Sequence, residues 1–227
     1  MTTTMSVTEA VQARRSVRAF TDQPVSREMV EEILTLAGNA PSGSNIQPWK
    51  VCALSGAEKE RFSQAVFAKA ATSPAGDPPD VRMYPEGMGE PWRERRAVCG
   101  EIMYEALGIG REDKTARMIQ GGKNLTFFDA PVGLVITMDR SLAELQILDM
   151  GIFVQTIMLL AQERGLATCP QAAWSMWSDT FREAFDVSDN EMVMMGISLG
   201  FPNNDEVAAN IVQPRLPLQE YASLHGF

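Results

Sequence analysis

Between Leu142 and Arg164 the chain carries Ile147, Leu148, Met150, Ile152, Phe153, Ile157, Met158, Leu159 and Leu160, spaced so that apolar side chains wrap almost all the way round a helix. A helix with one apolar stripe can lie on a surface. One that is apolar on every side must be enclosed in a core or pressed against a second subunit. The longest apolar run within it, Ile152 to Ala161, is interrupted by Gln155 and Thr156 and is too short to span a bilayer.

The rest of the pattern supplies elements to surround it. Ser6 and Glu9 have capping-box spacing and predict a helix over 7–15. Ser26 caps a second, with Val25 and Val30 as a hydrophobic staple, Met29, Val30, Ile33, Leu34 and Ala37 on one face, and Gly38 at its end. Residues 39–48 are a loop by composition, followed by a strand over 49–54 and a helix over 58–71. Residues 72–92 are rich in proline and glycine and read as a long ordered loop or lid, with a charged helix over 93–107 beyond it. A helix over 112–127, a buried strand over 131–138, a short strand over 167–169, a helix over 179–185 and a strand over 192–199 follow. The tail from 204 has prolines at 214 and 217 and little periodicity, so it needs a neighbouring surface to order it. About four strands, with helices that do not strictly alternate with them, predict an α+β fold.

At 227 residues and 45% hydrophobic content the chain suits one domain over 1–227. A net charge of −9 argues against nucleic acid as partner, because phosphate binders cluster Lys and Arg. Cys52, Cys99 and Cys169 are widely spaced and form no CxxC pair, so neither a disulfide framework nor a zinc site is indicated. The N-terminal segment has no apolar stretch before a small-residue cleavage site, and a soluble, cytoplasmic protein is expected. The lone histidine, His225, lies at the end of the tail, which removes most histidine-based hydrolytic mechanisms and metal sites. No metal is expected, and some other group must carry the chemistry.

Four stretches could hold that group. Arg14, Arg15, Ser16 and Arg18 sit at a helix-to-strand junction, where an extended backbone points residues 16 and 18 to one side and lets donors converge on an anion. The alternative is a solvated basic helix end. Pro41, Ser42, Asn45 and Gln47 lie in a small-residue loop whose amides could match the urea-like edge of a flavin, or could form an ordinary polar loop. Pro170, Gln171 and Ala172 follow a strand, and a free backbone N–H there could reach flavin N5. The adjacent Cys169 reads better as a buried, inert thiol. Arg215 stands alone in the tail and could close over a phosphate. Tyr84, Trp92, Tyr104, Phe127 and Phe128 are aromatic candidates for stacking on a substrate ring, with core or lid packing the alternative.

Taken in order, RRSVRAF, PSGSNIQPW, GLATCPQAAW with GISLGFP, and PRLPLQEY resemble the nitroreductase family, and the resemblance extends from residue 14 to residue 221. The PSGSNIQPW form and RLPL are also similar to the branch containing reductive dehalogenases of iodinated tyrosine. The family implies an α/β sandwich around a mixed, mostly antiparallel sheet, homodimeric, with FMN at the subunit interface and C-terminal arms (here 204–227) exchanged. It implies Arg14, Arg15, Ser16, Arg18 and Arg215 about the phosphate, ribityl chain and pyrimidine edge. Pro41, Ser42, Asn45 and Gln47 would line the flavin, partly from the other subunit, with Pro170, Gln171 and Ala172 along its face. Many members have glutamate where this chain has Gln171. Substrate choice is expected in the 72–92 lid.

The activity implied is a ping-pong reduction of nitroaromatics, with NADPH or NADH as transient donor, taking nitro through nitroso to hydroxylamine. The flavin carries the hydride and no side chain is needed as a nucleophile. Reductive dehalogenation or another flavin reaction on the same scaffold is the nearest alternative, and an FMN-binding protein without turnover a more distant one.

Overall fold

The computed structural model describes residues 5–227, so the first four residues of the N-terminal segment read above lie outside it. Four strands, β1 (Trp49–Ser55), β2 (Val132–Asp139), β3 (Ala167–Gln171) and β4 (Glu191–Gly200), form one sheet in the order β1-β2-β4-β3. Every neighbouring pair is antiparallel. The parallel component that would make the sheet mixed shrinks to an isolated bridge between Ser16 and Thr168.

Helices cover both faces. α2 (Arg27–Ala37) and α6 (Gln146–Glu163) place Ile33, Ala37, Phe153 and Ile157 against Leu134, Ile136 and Ile197. On the other face α3 (Gly56–Thr72) and α7 (Ser178–Phe185) bring Phe62, Val66 and Phe181 against Val135, Val193 and Trp174. Alternation along β2 divides its side chains between the two layers, as a period of two requires. In β4 the register shifts by one residue opposite Ile136 and Thr137. Before the shift Met192 and Met194 face α6; after it Met195, Ile197 and Leu199 do, because one extra residue reverses the parity.

The helical ends are set locally. α1 (Val7–Ala13) opens with the expected capping box, in which Glu9 N–H donates to Ser6 Oγ and Ser6 N–H to Glu9 Oε2 at 2.7 Å. Ser26 Oγ accepts from Met29 N–H at the start of α2. Such caps are worth about 1 kcal/mol each. The charged helix after the lid is α4 (Trp92–Ala106), which buries no residue of its own.

Three expectations change. The helix drawn over 112–127 is α5 (Lys114–Gly122) followed by a turn over 123–129, where Phe127, Phe128 and Asp129 take left-handed φ of 56°, 52° and 62°. Such residues cost about 1–2 kcal/mol each. The turn delivers Phe127 to the cluster around Trp174 and Phe128 to a separate cluster with Val17, Phe20 and Cys169, and burying two phenyl rings offsets that cost. β3 runs on through Pro170 to Gln171, which an edge strand tolerates because one face of its backbone needs no donor.

The third concerns α6. Met150, Phe153, Val154, Ile157, Met158 and Ala161 are buried, but Leu148 is 65% exposed and Leu145 and Ile152 are open as well. Within one chain the helix is enclosed on one side only, and its outer apolar stripe is left in solvent.

Candidate functional site

The Arg14–Arg18 segment leaves α1 extended and is clamped between β3 and the C-terminal segment. Val17 N–H donates to Thr168 O at 3.0 Å, and Arg18 N–H to Ala208 O at 3.1 Å. Arg18 Nη1 donates to the backbone carbonyl of Ser16 at 3.3 Å. Arg18 also lies 6.0 Å from the Phe128 ring centre.

Arg15 points elsewhere. Its Nε donates to Ala209 O at 2.8 Å and its Nη2 to Asn210 Oδ1 at 3.2 Å, so this guanidinium ties the two ends of the chain together.

Arg14 and Arg215 come together from opposite ends of the sequence. Burial, and then the positive charge of Arg215, push Arg14 below its ordinary proton affinity. Among the described residues neither of them, nor Arg18, has a carboxylate within ion-pair distance. In a chain with 29 acidic residues, guanidiniums left without a counter-ion have the chemistry to accept an anion.

At the end of β3 the Gln171 amide is saturated. Its Nε2 donates to Asn124 O at 2.9 Å and to Asn124 Oδ1, while its Oε1 accepts from Ser198 Oγ at 2.7 Å and from Trp174 Nε1. The side chain is therefore a brace, and only the backbone of Pro170–Ala172 is left to meet a ligand. A glutamate could not donate to Asn124, which explains the amide here. Asn124 carried no signal in the sequence, since its partner is far along the chain. Beside this strand Cys169 is buried, which pushes its thiol up to about 11 despite the opposing influence of Arg18, and it stays neutral as expected.

The loop with Pro41, Ser42, Asn45 and Gln47 is exposed apart from a half-buried Ser42. Ser44, Asn45 and Gln47 have left-handed φ of 52°, 57° and 52°, held by a hydrogen bond from Gln47 N–H to Ser42 Oγ. Gly43 N–H docks the loop on Asp149 Oδ1 near the start of α6, and buried Asp149 Oδ2 has no partner. A carboxylate in the first turn of a largely apolar helix was the available clue to this contact. The loop docks near the start of α6, whereas β3, which pairs with the Ser16–Arg18 segment, follows its C-terminus; Asp149 to Glu163 alone spans about 21 Å.

The aromatic candidates divide. Phe127 is fully buried and stacks on Trp174 at 4.1 Å between ring centres, and Phe128 is buried in its own cluster, so both are corrected to core residues that no substrate ring can reach. Tyr84 and Trp92 are exposed, and Tyr104 lines a cleft of about 880 Å³ along α4. The base of the lid is fixed to the body. Buried Asp77 accepts from the backbone and hydroxyl of Thr180, and Asp80 accepts from Arg140, Arg182 and Val193 N–H.

Comparison with known proteins shows the family of the chain. The model of the nitroreductase family matches residues 11–201. The chain is 38% identical over 223 residues to a nitrobenzene nitroreductase of Ectopseudomonas oleovorans, covering 98% of each. It is 36% identical to a 4-nitrobenzoate reductase of Pseudomonas putida, covering 96% of this chain and 94% of the relative. Among solved structures, the FMN- and NADPH-dependent nitroreductase of Sphigopyxis sp. strain HMH superposes with a TM-score of 0.95 at 38% identity, over 98% of this chain and 100% of that one. Sheet order, helix layers and full-length likeness point the same way: the chain belongs to the nitroreductase family.

Proposed function

We propose that this protein is an FMN-dependent NAD(P)H oxidoreductase that reduces nitroaromatic compounds. The observation that carries the reading is the pairing of Arg14 with Arg215, two guanidiniums without a carboxylate, beside the extended Ser16–Arg18 segment and the end of β3. Its fit to a mononucleotide is direct, since a terminal phosphate supplies the missing counter-charge. The relatives named above, two reductases of nitroaromatics and one FMN- and NADPH-dependent nitroreductase, support the same assignment.

FMN held here would supply the hydride chemistry, relaying reducing equivalents from a nicotinamide donor to the nitro compound. The chain's own residues bind and orient. Arg14 and Arg215 neutralise the phosphate, Ser16 contributes a hydroxyl, and Arg18 offers positive charge to the pyrimidine edge. The backbone of Pro170, Gln171 and Ala172 forms one wall, held by the brace through Asn124 and Ser198. Arg15 acts at one remove, by tying the C-terminal segment to the N-terminal one.

Pro41, Ser42, Asn45 and Gln47 complete the site from a second copy of the chain. The docking of this loop near the start of α6, away from the end that leads into β3, supports this, and the exposed stripe of Leu145, Leu148 and Ile152, together with Val7 and Val11 of α1, is the surface proposed for the second copy. The tail lies along α4 of its own chain as far as Glu220, which pairs with Arg95. Beyond it Tyr221, Leu224 and Phe227 are exposed and serve as the exchanged arm. The chain works as one domain, with 72–92 as its substrate-facing lid. No helix among the described residues is long and apolar enough to cross a membrane, and the cytoplasm is the proposed compartment.

The test is direct. Purified protein should be yellow, release FMN on denaturation, and oxidise NADPH or NADH faster when a nitrobenzene derivative is added. A colourless preparation that gains no absorbance with added FMN, or a yellow one with no acceptor-dependent oxidation, refutes the reading.

A further inference from the structure

A cleft of about 880 Å³ runs along α4, outside the arginine cluster itself. Its floor is one helical face, Arg93, Arg96, Gly100 and Tyr104, and its far wall is the connection to α5 with Arg111 and Arg117. Four guanidiniums line it against two carboxylates, Glu101 and Glu105. Arg93 is taken by Glu90. Among the described residues Arg96, Arg111 and Arg117 have no carboxylate within ion-pair distance, so the cleft is locally basic in a chain of net charge −9.

Two of these arginines are pre-arranged. Arg96 lies flat over Tyr84 at 3.9 Å from the ring centre, and Arg117 over Tyr104 at 4.0 Å, with its Nε fixed on Gly110 O. A guanidinium stacked on a phenol ring keeps its in-plane N–H groups for an anion and its outer face for a second flat ring. The volume, about 880 Å³, exceeds what a single nitroarene ring needs and suits a ligand of dinucleotide size. The charged face also argues against a second protein chain, because the centres of protein interfaces are depleted of charge.

The cleft borders the site already described. Gln213 Nε2 donates to Cys99 O at 3.1 Å, next to Gly100 on the cleft floor, and Gln213 immediately precedes the Pro214–Arg215 pair. The segment that carries Arg215 to the anion site therefore runs along the helix that forms the cleft.

We propose that this cleft holds the adenosine end of the reducing dinucleotide, with Arg96 and Arg117 taking the phosphate on its ribose and the Arg–Tyr stacks supporting the purine. The proposal rests on the assignment of NAD(P)H as donor. It makes the chain selective for NADPH over NADH. Glu101 and Glu105 are acceptors for ribose hydroxyls or the purine amine.

Two readouts test it on the FMN-loaded protein. Calorimetric titration with 2′,5′-ADP should show binding, with 5′-AMP at least tenfold weaker, and Arg96→Ala or Arg117→Ala should weaken 2′,5′-ADP by about tenfold each, the loss of one charge-assisted contact. In steady-state assays the ratio of KM for NADPH to KM for NADH should rise by about tenfold in the same variants. Unaltered binding of 2′,5′-ADP in both variants, or none to the parent, overturns the proposal, as does a rise in KM for 4-nitrobenzoate alone, which would make the cleft a substrate site. Loss of turnover with every donor, while 2′,5′-ADP still titrates as described, would refute the reductase assignment and leave the cleft standing.

Discussion

The guanidinium of Arg14, at the end of the first helix, is held close enough to that of Arg215, in the C-terminal tail, for the second charge to lower the proton affinity of the first. Folding does not bring like charges together without compensation. Under the proposed assignment the cofactor phosphate supplies it, and cofactor retention then depends on both ends of the chain.

Replacing both residues, Arg14→Ala with Arg215→Ala, should therefore release FMN. Each lost charge-assisted contact is worth about 1.5–3 kcal/mol, so the double variant should bind FMN at least a hundredfold more weakly. Flavin fluorescence on dilution measures this, and a variant that elutes fully yellow contradicts the phosphate assignment.

Gln171→Glu should destabilise the protein in spite of the family's preference for glutamate there. The carboxylate loses the donor to Asn124 O and sets a charge against that carbonyl inside the core. A cost of about 1–3 kcal/mol is expected, read as a lower thermal midpoint.

The outer stripe of α6 should govern assembly. Leu148→Arg with Ile152→Arg puts two charges on the exposed apolar surface and should shift the protein from dimer to monomer by size-exclusion chromatography with light scattering. FMN should be lost with it, since the 41–47 loop then has no second site to complete. A variant that stays dimeric, or a parent that is monomeric, contradicts the exchange.

Asp80 should set the acid stability of the lid base. Burial opposes its charge, but hydrogen bonds from Arg140, Arg182 and the Val193 amide outweigh this and hold its carboxyl below the ordinary value. With the folded value the lower one, the stabilisation is complete above the unfolded value of about 3.9 and is lost as pH falls through the folded value. Asp80→Asn should cost about 3 kcal/mol at pH 7 by leaving Arg182 short of its buried partner, and the difference from the parent should shrink below about pH 4. Thermal melts between pH 7 and pH 3 decide it.

Local chemistry and periodicity were enough to specify the α+β class, the caps at Ser6 and Ser26, all four strands and the apolar helix within 142–164. These depend on neighbours within a few residues, which the order of residues displays directly. Which face of α6 is enclosed, that Phe127 and Phe128 leave the helical path for two separate cores, that Arg15 and the Gln171 side chain are spent on internal partners, and that Arg14 meets Arg215 were decided by the tertiary structure. Each is a contact between parts of the chain far apart in sequence, settled by competition for the same buried space and the same hydrogen bonds, and no local pattern records the outcome.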